Sequence, residues 1–176
     1  MMNIRKTDIK VRSYGDSDYS ACRLLWSELT QHHRNIYEDP TIGEPDPGQG
    51  FEIYIALPNR KATWVAEVDG EINGFVGLLT CTWEGEAEIE PVIVSSNCRR
   101  RGIGTALVRH VIKEANKFGV EFLNVRPVAR NRDAILFFAK LGFNTLGHID
   151  LFQELNPSSK RKWETGITIH GKKLLF

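Results

Sequence analysis

No apolar run in this chain approaches the ~20 residues that a membrane-spanning helix needs, so a helical membrane protein is excluded and no membrane partner is expected. Met1-Met-Asn-Ile-Arg lacks the apolar core of a signal peptide, and cytoplasmic residence is the expectation. An excess of either charge is also missing. The 23 Lys and Arg residues face 22 Asp and Glu, a net charge of +1, so no global field draws the chain to nucleic acid. Cysteine is scarce: Cys22, Cys81 and Cys98 are odd in number, lack metal-type spacing and read as reduced thiols, with no metal implied. Internal repeats and low-complexity segments are absent too. What remains is 176 residues, 41% hydrophobic and 26% charged, expected to form one domain over 1–176 with a substantial core.

The most informative stretch runs from Glu88 to Thr105, a short apolar strand and polar turn leading into the glycine-rich start of an amphipathic helix. Free amides at a helix start, aligned peptide dipoles and the arginines Arg99, Arg100 and Arg101 favour a pyrophosphate there. Three glycine-loop readings compete. A P-loop needs Lys-Ser or Lys-Thr after its second glycine, whereas Gly104 is followed by Thr105-Ala106. A dinucleotide fingerprint needs a third glycine where Leu107 stands, and it follows its strand directly. The third pattern, R-x-x-G-x-G, is met by Arg99, Gly102 and Gly104. This segment resembles the coenzyme A pyrophosphate loop of the GNAT superfamily of N-acetyltransferases.

The rest of the chain is read from periodicity. A first strand is predicted over Ile4–Arg12, then a helix from Tyr19 to about His33 behind Asp16-Ser17-Asp18 as capping side chains. Tyr37–Gly50 is a loop, and a second helix is predicted from about Gln49 to Leu57. Lys61–Val68 and Gly74–Trp83 form a hairpin across Asp69-Gly70, and a turn at Glu84-Gly85-Glu86 leads into the Glu88–Val94 strand. A helix of ~16 residues, ~24 Å long, follows from Ile103 and ends near Gly119. A strand over Glu121–Val125, a helix from about Asn131 to Leu141, a long final strand over Phe143–Leu155 and a hairpin within Trp163–Phe176 complete the reading.

A second motif, Asn131-Arg-Asp-Ala134-Ile-Leu-Phe-Phe138-Ala-Lys-Leu-Gly142-Phe143, is similar to the GNAT pattern N-x-x-A-x-x-F-Y-x-x-L-G-F at every position but one. The resemblance implies an α/β fold with a mixed sheet: an antiparallel meander, then β-α-β-α-β with a splayed central strand pair. It places a cofactor-binding core at about 86–152 and a carboxyl-terminal extension at about 156–176. It implies acetyl-CoA as cosubstrate and transfer of its acetyl group to a primary amine of a small molecule or peptide. Amides from Arg99 or Arg100 through Gly102, Ile103, Gly104 and Thr105 would hold the pyrophosphate. Val92, Ile93 and Val94 would pair with the pantetheine arm, and an N–H of Ile93 or Val94 would polarise the thioester carbonyl. Asn131 would bond that arm or cap its own helix. A catalytically weak coenzyme A-binding module, acting as sensor or regulator, stays open as the alternative, as does homodimer formation. An enzyme that binds a nucleotide and no acyl-CoA is a further rival.

Acetyl transfer to an amine needs a proton acceptor, because most alkyl amines are protonated at neutral pH. Glu90, on the strand that would carry the thioester, is the candidate base, with Glu88 on the same strand face in reserve. The departure from the family pattern is Phe138, which stands where many members place a tyrosine to protonate the leaving thiolate. Water, the product ammonium, or one of Tyr14, Tyr19, Tyr37 and Tyr54 would then supply the proton. The Tyr37–Gly50 loop carries four carboxylates and no Lys or Arg, which suits a cationic acceptor or merely a solvated loop. Trp26 and Trp83 would wall an acceptor pocket or sit in the core. Adjacent His32 and His33 cannot chelate as an i, i+4 pair, and Cys98 is incidental to direct transfer.

Overall fold

The computed structural model describes residues 8–155 and 162–176. Its main sheet has five strands in the order β1 (Ile9–Ser13), β2 (Arg60–Val68), β3 (Glu71–Thr80), β4 (Glu86–Val94) and β5 (Phe122–Asn124). The first four run antiparallel, and β4 and β5 are parallel. Asp69 and Gly70 both take positive φ, which matches the right-handed twist of the β2–β3 hairpin they close. Of the predicted first strand, Ile4–Thr7 lie outside the described residues.

Two apolar layers sandwich the sheet. Helices α1 (Tyr19–Tyr37) and α2 (Gln49–Ile55) bury Cys22, Leu25, Phe51 and Tyr54 against Val65, Phe75, Leu79 and Ile93. Helices α3 (Ile103–Lys117) and α4 (Arg132–Lys140) cover the opposite face, where Ile103, Leu107, Val111 and Phe138 meet Ala66, Val76, Leu78 and Ile89. The alternation of β3, Phe75 to one side and Val76 to the other, serves both layers at once. No helix among the described residues is long and apolar enough to cross a membrane.

Three details differ from the sequence reading. Helix α1 runs one turn further than predicted, to Tyr37, and stops where Glu38 turns left-handed (φ 51°). Asp18 does not cap it. Its carboxylate instead accepts from Arg12 Nη1 (2.7 Å) and Nη2 (2.9 Å) and from Gly15 N–H (3.0 Å). Finally, Phe143–Leu155 forms no strand, and Leu146, Leu151, Phe152 and Leu155 are all more than 70% exposed. A strand exists only where a ladder is available; β5 offers three residues and ends short of Pro127. The carboxyl-terminal hairpin does form, β6 (Thr165–Ile169) with β7 (Lys172–Leu175), as a separate two-stranded sheet.

The Arg12–Asp18 pair makes a stability prediction. Hydrogen bonding from Arg12 outweighs burial and holds the Asp18 carboxyl below its usual range. Its stabilisation is therefore complete above the unfolded carboxylate value of about 3.9 and is lost as pH falls through the lower folded value. Asp18→Asn is expected to cost about 2 kcal/mol at pH 7. Urea midpoints measured for both proteins should converge as the pH is taken down through that lowered folded value.

Candidate functional site

Strand β4 carries the site because it is paired fully on one edge only. Toward β5 the ladder has three rungs, Glu86 with Phe122, Ala87 with Leu123 and Glu88 with Asn124. From Ile89 to Val94 that edge has no ladder partner among the described residues. Beyond Glu88 the pairing stops, and the β4 edge faces a gap in the sheet. Ser95 N–H donates to Asn73 O (2.9 Å) on the β3 side. By two-residue alternation Ile93 N–H also faces β3, while the N–H groups of Val92 and Val94 face the gap. Of the two amides expected to polarise a carbonyl, Val94 has the right direction and Ile93 does not.

The same strand bulges. Val76 pairs with Val92 but Leu78 with Ile89, so Glu90 and Pro91 together oppose the single residue Gly77. A Cβ on Gly77 would fall 2.1 Å from Tyr54 Oη and 2.2 Å from the Glu90 carbonyl oxygen. Only glycine lets the α2 tyrosine and the β4 backbone converge there. The bulge leaves the Glu90 side chain exposed, whereas Glu88 is 6% exposed and pairs with Arg126 (2.9 Å). Burial raises the Glu88 pKa, Arg126 opposes the rise, and the nearby charges of Glu90 and Asp150 add to it. The reserve candidate thus has the more base-like surroundings.

Beyond Val94 the chain makes a short turn, and α3 begins. Arg100 (φ 61°) and Gly102 (φ 89°) both take the left-handed conformation that swings the backbone into the helix. Ala106 N–H is bonded to Gly102 O, leaving the amides of Ile103, Gly104 and Thr105 as the unbonded first turn. Gly104 lies against α4 and β4, where a Cβ would sit 3.3 Å from Phe137 and 3.6 Å from Val94. Arg99, Arg100 and Arg101 are exposed, and among the described residues none is ion-paired with a carboxylate. Three arginines without an ion pair among the described residues thus directly precede the three open amides at the start of α3. Such a group of donors is suited to a diphosphate.

Helix α1 crosses from the end of β4 to the start of α4. Its Glu28 carboxylate accepts from Ser96 N–H (2.6 Å) and Ser95 Oγ–H (3.2 Å). One turn later, Asn131 Nδ2–H donates to His32 Nε2 (3.3 Å), while Asn131 Oδ1 caps α4 by accepting from Ala134 N–H (3.1 Å). At the end of α1 the Arg130 guanidinium, 5% exposed, lies over the Tyr37 ring at 5.2 Å. It also donates to the carbonyl of Lys162 and pairs with Glu164 (3.6 Å), so it ties the hairpin segment to α1. Beside it is a cavity of about 200 Å³ lined by His33, Tyr37, Asp39 and Ile42.

The remaining candidates fall into place less evenly. Phe138 is buried, edge-on to Phe137 (5.1 Å) and Phe143 (5.7 Å). Tyr54 donates or accepts at Thr63 Oγ1 (2.6 Å), and burial pushes its phenol up to about 12. Tyr19 donates to Glu52 (3.0 Å). Trp26 stacks on Tyr54 (5.7 Å) and belongs to the core, while Trp83 is 71% exposed on the β3–β4 turn. Two of the four carboxylates of the acidic loop are ion-paired within the chain, Asp46 with Arg23 and Glu38 with Lys162 (3.0 Å). Glu28, His32, Gly77, Arg126 and Arg130 escaped the sequence reading because their partners lie far along the chain, outside any local motif.

The chain is similar to known proteins over much of its length. The model of the acetyltransferase (GNAT) family matches residues 23–143. An uncharacterized N-acetyltransferase of Methanocaldococcus jannaschii is 32% identical over 115 residues, 54% of this chain and 50% of that protein. The match therefore spans half the length of that relative. A streptothricin acetyltransferase of Escherichia coli is 34% identical over 118 residues, 59% of this chain and 67% of its own. Among solved structures, an aminoglycoside N-acetyltransferase in complex with coenzyme A superposes with a TM-score of 0.63 at 16% identity, covering 88% of this chain and 100% of that one. An open β4 edge, a helix start with open amides beyond it and a family match over most of the chain lead to one conclusion: the protein belongs to the acetyltransferase (GNAT) family.

Proposed function

We propose that this protein transfers the acetyl group of acetyl-CoA to a primary amine, by direct attack of the amine on the thioester while both substrates are bound. One observation carries the reading: the unpaired β4 edge runs straight into the cradle of free amides and unpaired arginines at α3. Amides of Ile103, Gly104 and Thr105, with Arg99, Arg100 and Arg101, hold the diphosphate. The gap-facing groups of Val92 and Val94 take the pantetheine arm as a further strand. Acetyl-CoA supplies the activated acyl group, and the residues around the gap do the rest.

Val94 N–H stabilises the charge that develops on the carbonyl oxygen as the nitrogen–carbon bond forms. The carbon–sulfur bond breaks, and the amine proton passes through water to a β4 carboxylate. Glu90 meets the incoming amine at the mouth of the gap. Glu88, deeper and with its pKa raised by burial, is the stronger base. A coenzyme thiolate is about as basic as a cysteine thiolate, so water or the product ammonium suffices as acid where Phe138 offers none. The acceptor is an amine whose cation meets the carboxylates of Glu88, Glu90 and Asp150 near the gap. The relatives fit this class, two being named for streptothricin and for the alanine of a ribosomal protein.

Thiol release measured with a panel of amines tests the mechanism. Glu88→Gln is expected to lower kcat/KM about 100-fold and Glu90→Gln about 10-fold. The base works only when ionised, so the raised Glu88 pKa places the acid limb of kcat/KM above the ordinary carboxylate range. Glu88→Gln should abolish that limb. Full activity in both variants would refute the role given to β4. Phe138 favours one second reading, a coenzyme-binding sensor, which predicts coenzyme binding with no amine-dependent thiol release.

A further inference from the structure

We propose that His32 is a positioning residue that fixes the Asn131 amide at the mouth of the gap and makes coenzyme binding depend on pH. The inference rests on the coenzyme site described above and adds a residue and a control to it. Asn131 Nδ2 can only donate, so the 3.3 Å contact requires His32 Nε2 to accept, with the ring neutral and its proton on Nδ1. The Asn131 carbonyl is committed to Ala134 N–H, so the amide is held from both ends: its oxygen by the helix it caps, its nitrogen by the ring. The second Nδ2 hydrogen is left for an acceptor in the gap, such as an amide carbonyl of the pantetheine arm.

Protonation of His32 turns Nε2 into a donor that faces another donor. Asn131 must then turn away, or flip and lose its cap on α4, because an NH₂ group cannot accept from Ala134. The charged groups around the ring are few. Arg99 approaches from the β4–α3 turn and disfavours the imidazolium, whereas Asp133 on α4 favours it; His33 is the neighbouring titratable group on α1. Glu28, one turn earlier on α1, is taken by Ser95 and Ser96. Burial and Arg99 together keep the ring neutral at neutral pH, with its pKa below the usual imidazole value.

Two measurements on the full chain test this. In the first, calorimetry with coenzyme A gives Kd from pH 8 to pH 5.5 for the wild type and for His32→Gln, whose amide oxygen can accept but does not titrate. The ligand's own phosphate titration is common to both proteins and cancels in the ratio. Acidification is expected to weaken wild-type binding more than it weakens the variant, by a factor that stays below about 10-fold at pH 5.5 because the ring titrates below the usual imidazole value. In the second, nuclear magnetic resonance of the ligand-free wild type follows the Asn131 side-chain amide and the His32 ring. The two should titrate with a common midpoint. Parallel affinity profiles in the two proteins, tighter wild-type binding in acid, or an Asn131 amide indifferent to the His32 midpoint would each overturn the proposal while leaving the coenzyme site intact. No binding to either folded protein at any pH would instead remove the coenzyme site itself.

Discussion

Reversing the charge at both Arg99 and Arg101 to Glu is expected to raise the KM for acetyl-CoA about 1,000-fold. Each arginine is exposed and, among the described residues, unpaired with any carboxylate, so its charge is available to a ligand. Reversal removes an attraction of about 1 kcal/mol and adds a comparable repulsion at each position, about 4 kcal/mol together. That corresponds to about a 1,000-fold change. The same exposure means that the fold gains little from these side chains, so thermal stability should hold to within about 1 kcal/mol. The effect should shrink at high salt, because the pairs form at a solvent-facing loop. An unchanged KM in the doubly reversed, folded protein would rule out the diphosphate cradle.

Gly77→Ala is the second large effect, and it strikes the fold and the site together. The added methyl would lie 2.1 Å from the Tyr54 hydroxyl and 2.2 Å from the Glu90 carbonyl oxygen. The first neighbour is the end of a side chain; the second is backbone within the bulge and cannot withdraw without displacing Glu90. A loss of about 3 kcal/mol is expected on denaturant titration, along with most of the activity in whatever remains folded. Adding Tyr54→Phe removes the shortest contact, although the ring carbon Cζ stays 2.8 Å away, and leaves the carbonyl clash untouched. The double variant should therefore recover part of the stability and little of the activity. Equal recovery of both would place the constraint in the tyrosine and not in the bulge.

Much of this architecture is legible in the residues themselves, and the rest fails for definable reasons. Ile103, Leu107, Val111 and Ala115 mark the buried face of α3 because a helix repeats its contacts locally. Asp69-Gly70 marks its turn because few residues tolerate positive φ. Alternation predicts Glu88 and Glu90 on one face of β4 but carries no information about depth. The bulge opposite Gly77 buries one carboxylate and exposes the other. Asp18 looks like a helix cap by its position, yet a bidentate guanidinium is a stronger claimant than an amide. Phe143–Leu155 has the composition of a strand, but a strand also needs an edge to join. His32 is legible only as a neighbour of His33, because its partner Asn131 lies far along the chain, at the start of another helix.

The three-rung ladder between β4 and β5 has a thermodynamic consequence. A strand left unzipped along most of one side keeps its valences open, and whatever settles into the opening finishes the sheet. Saturating that edge stabilises the folded state by mass action, since the unfolded chain offers no such seat. If the proposed ligand seats there, cargo and scaffold should melt as one cooperative unit, with the empty protein the less stable of the two.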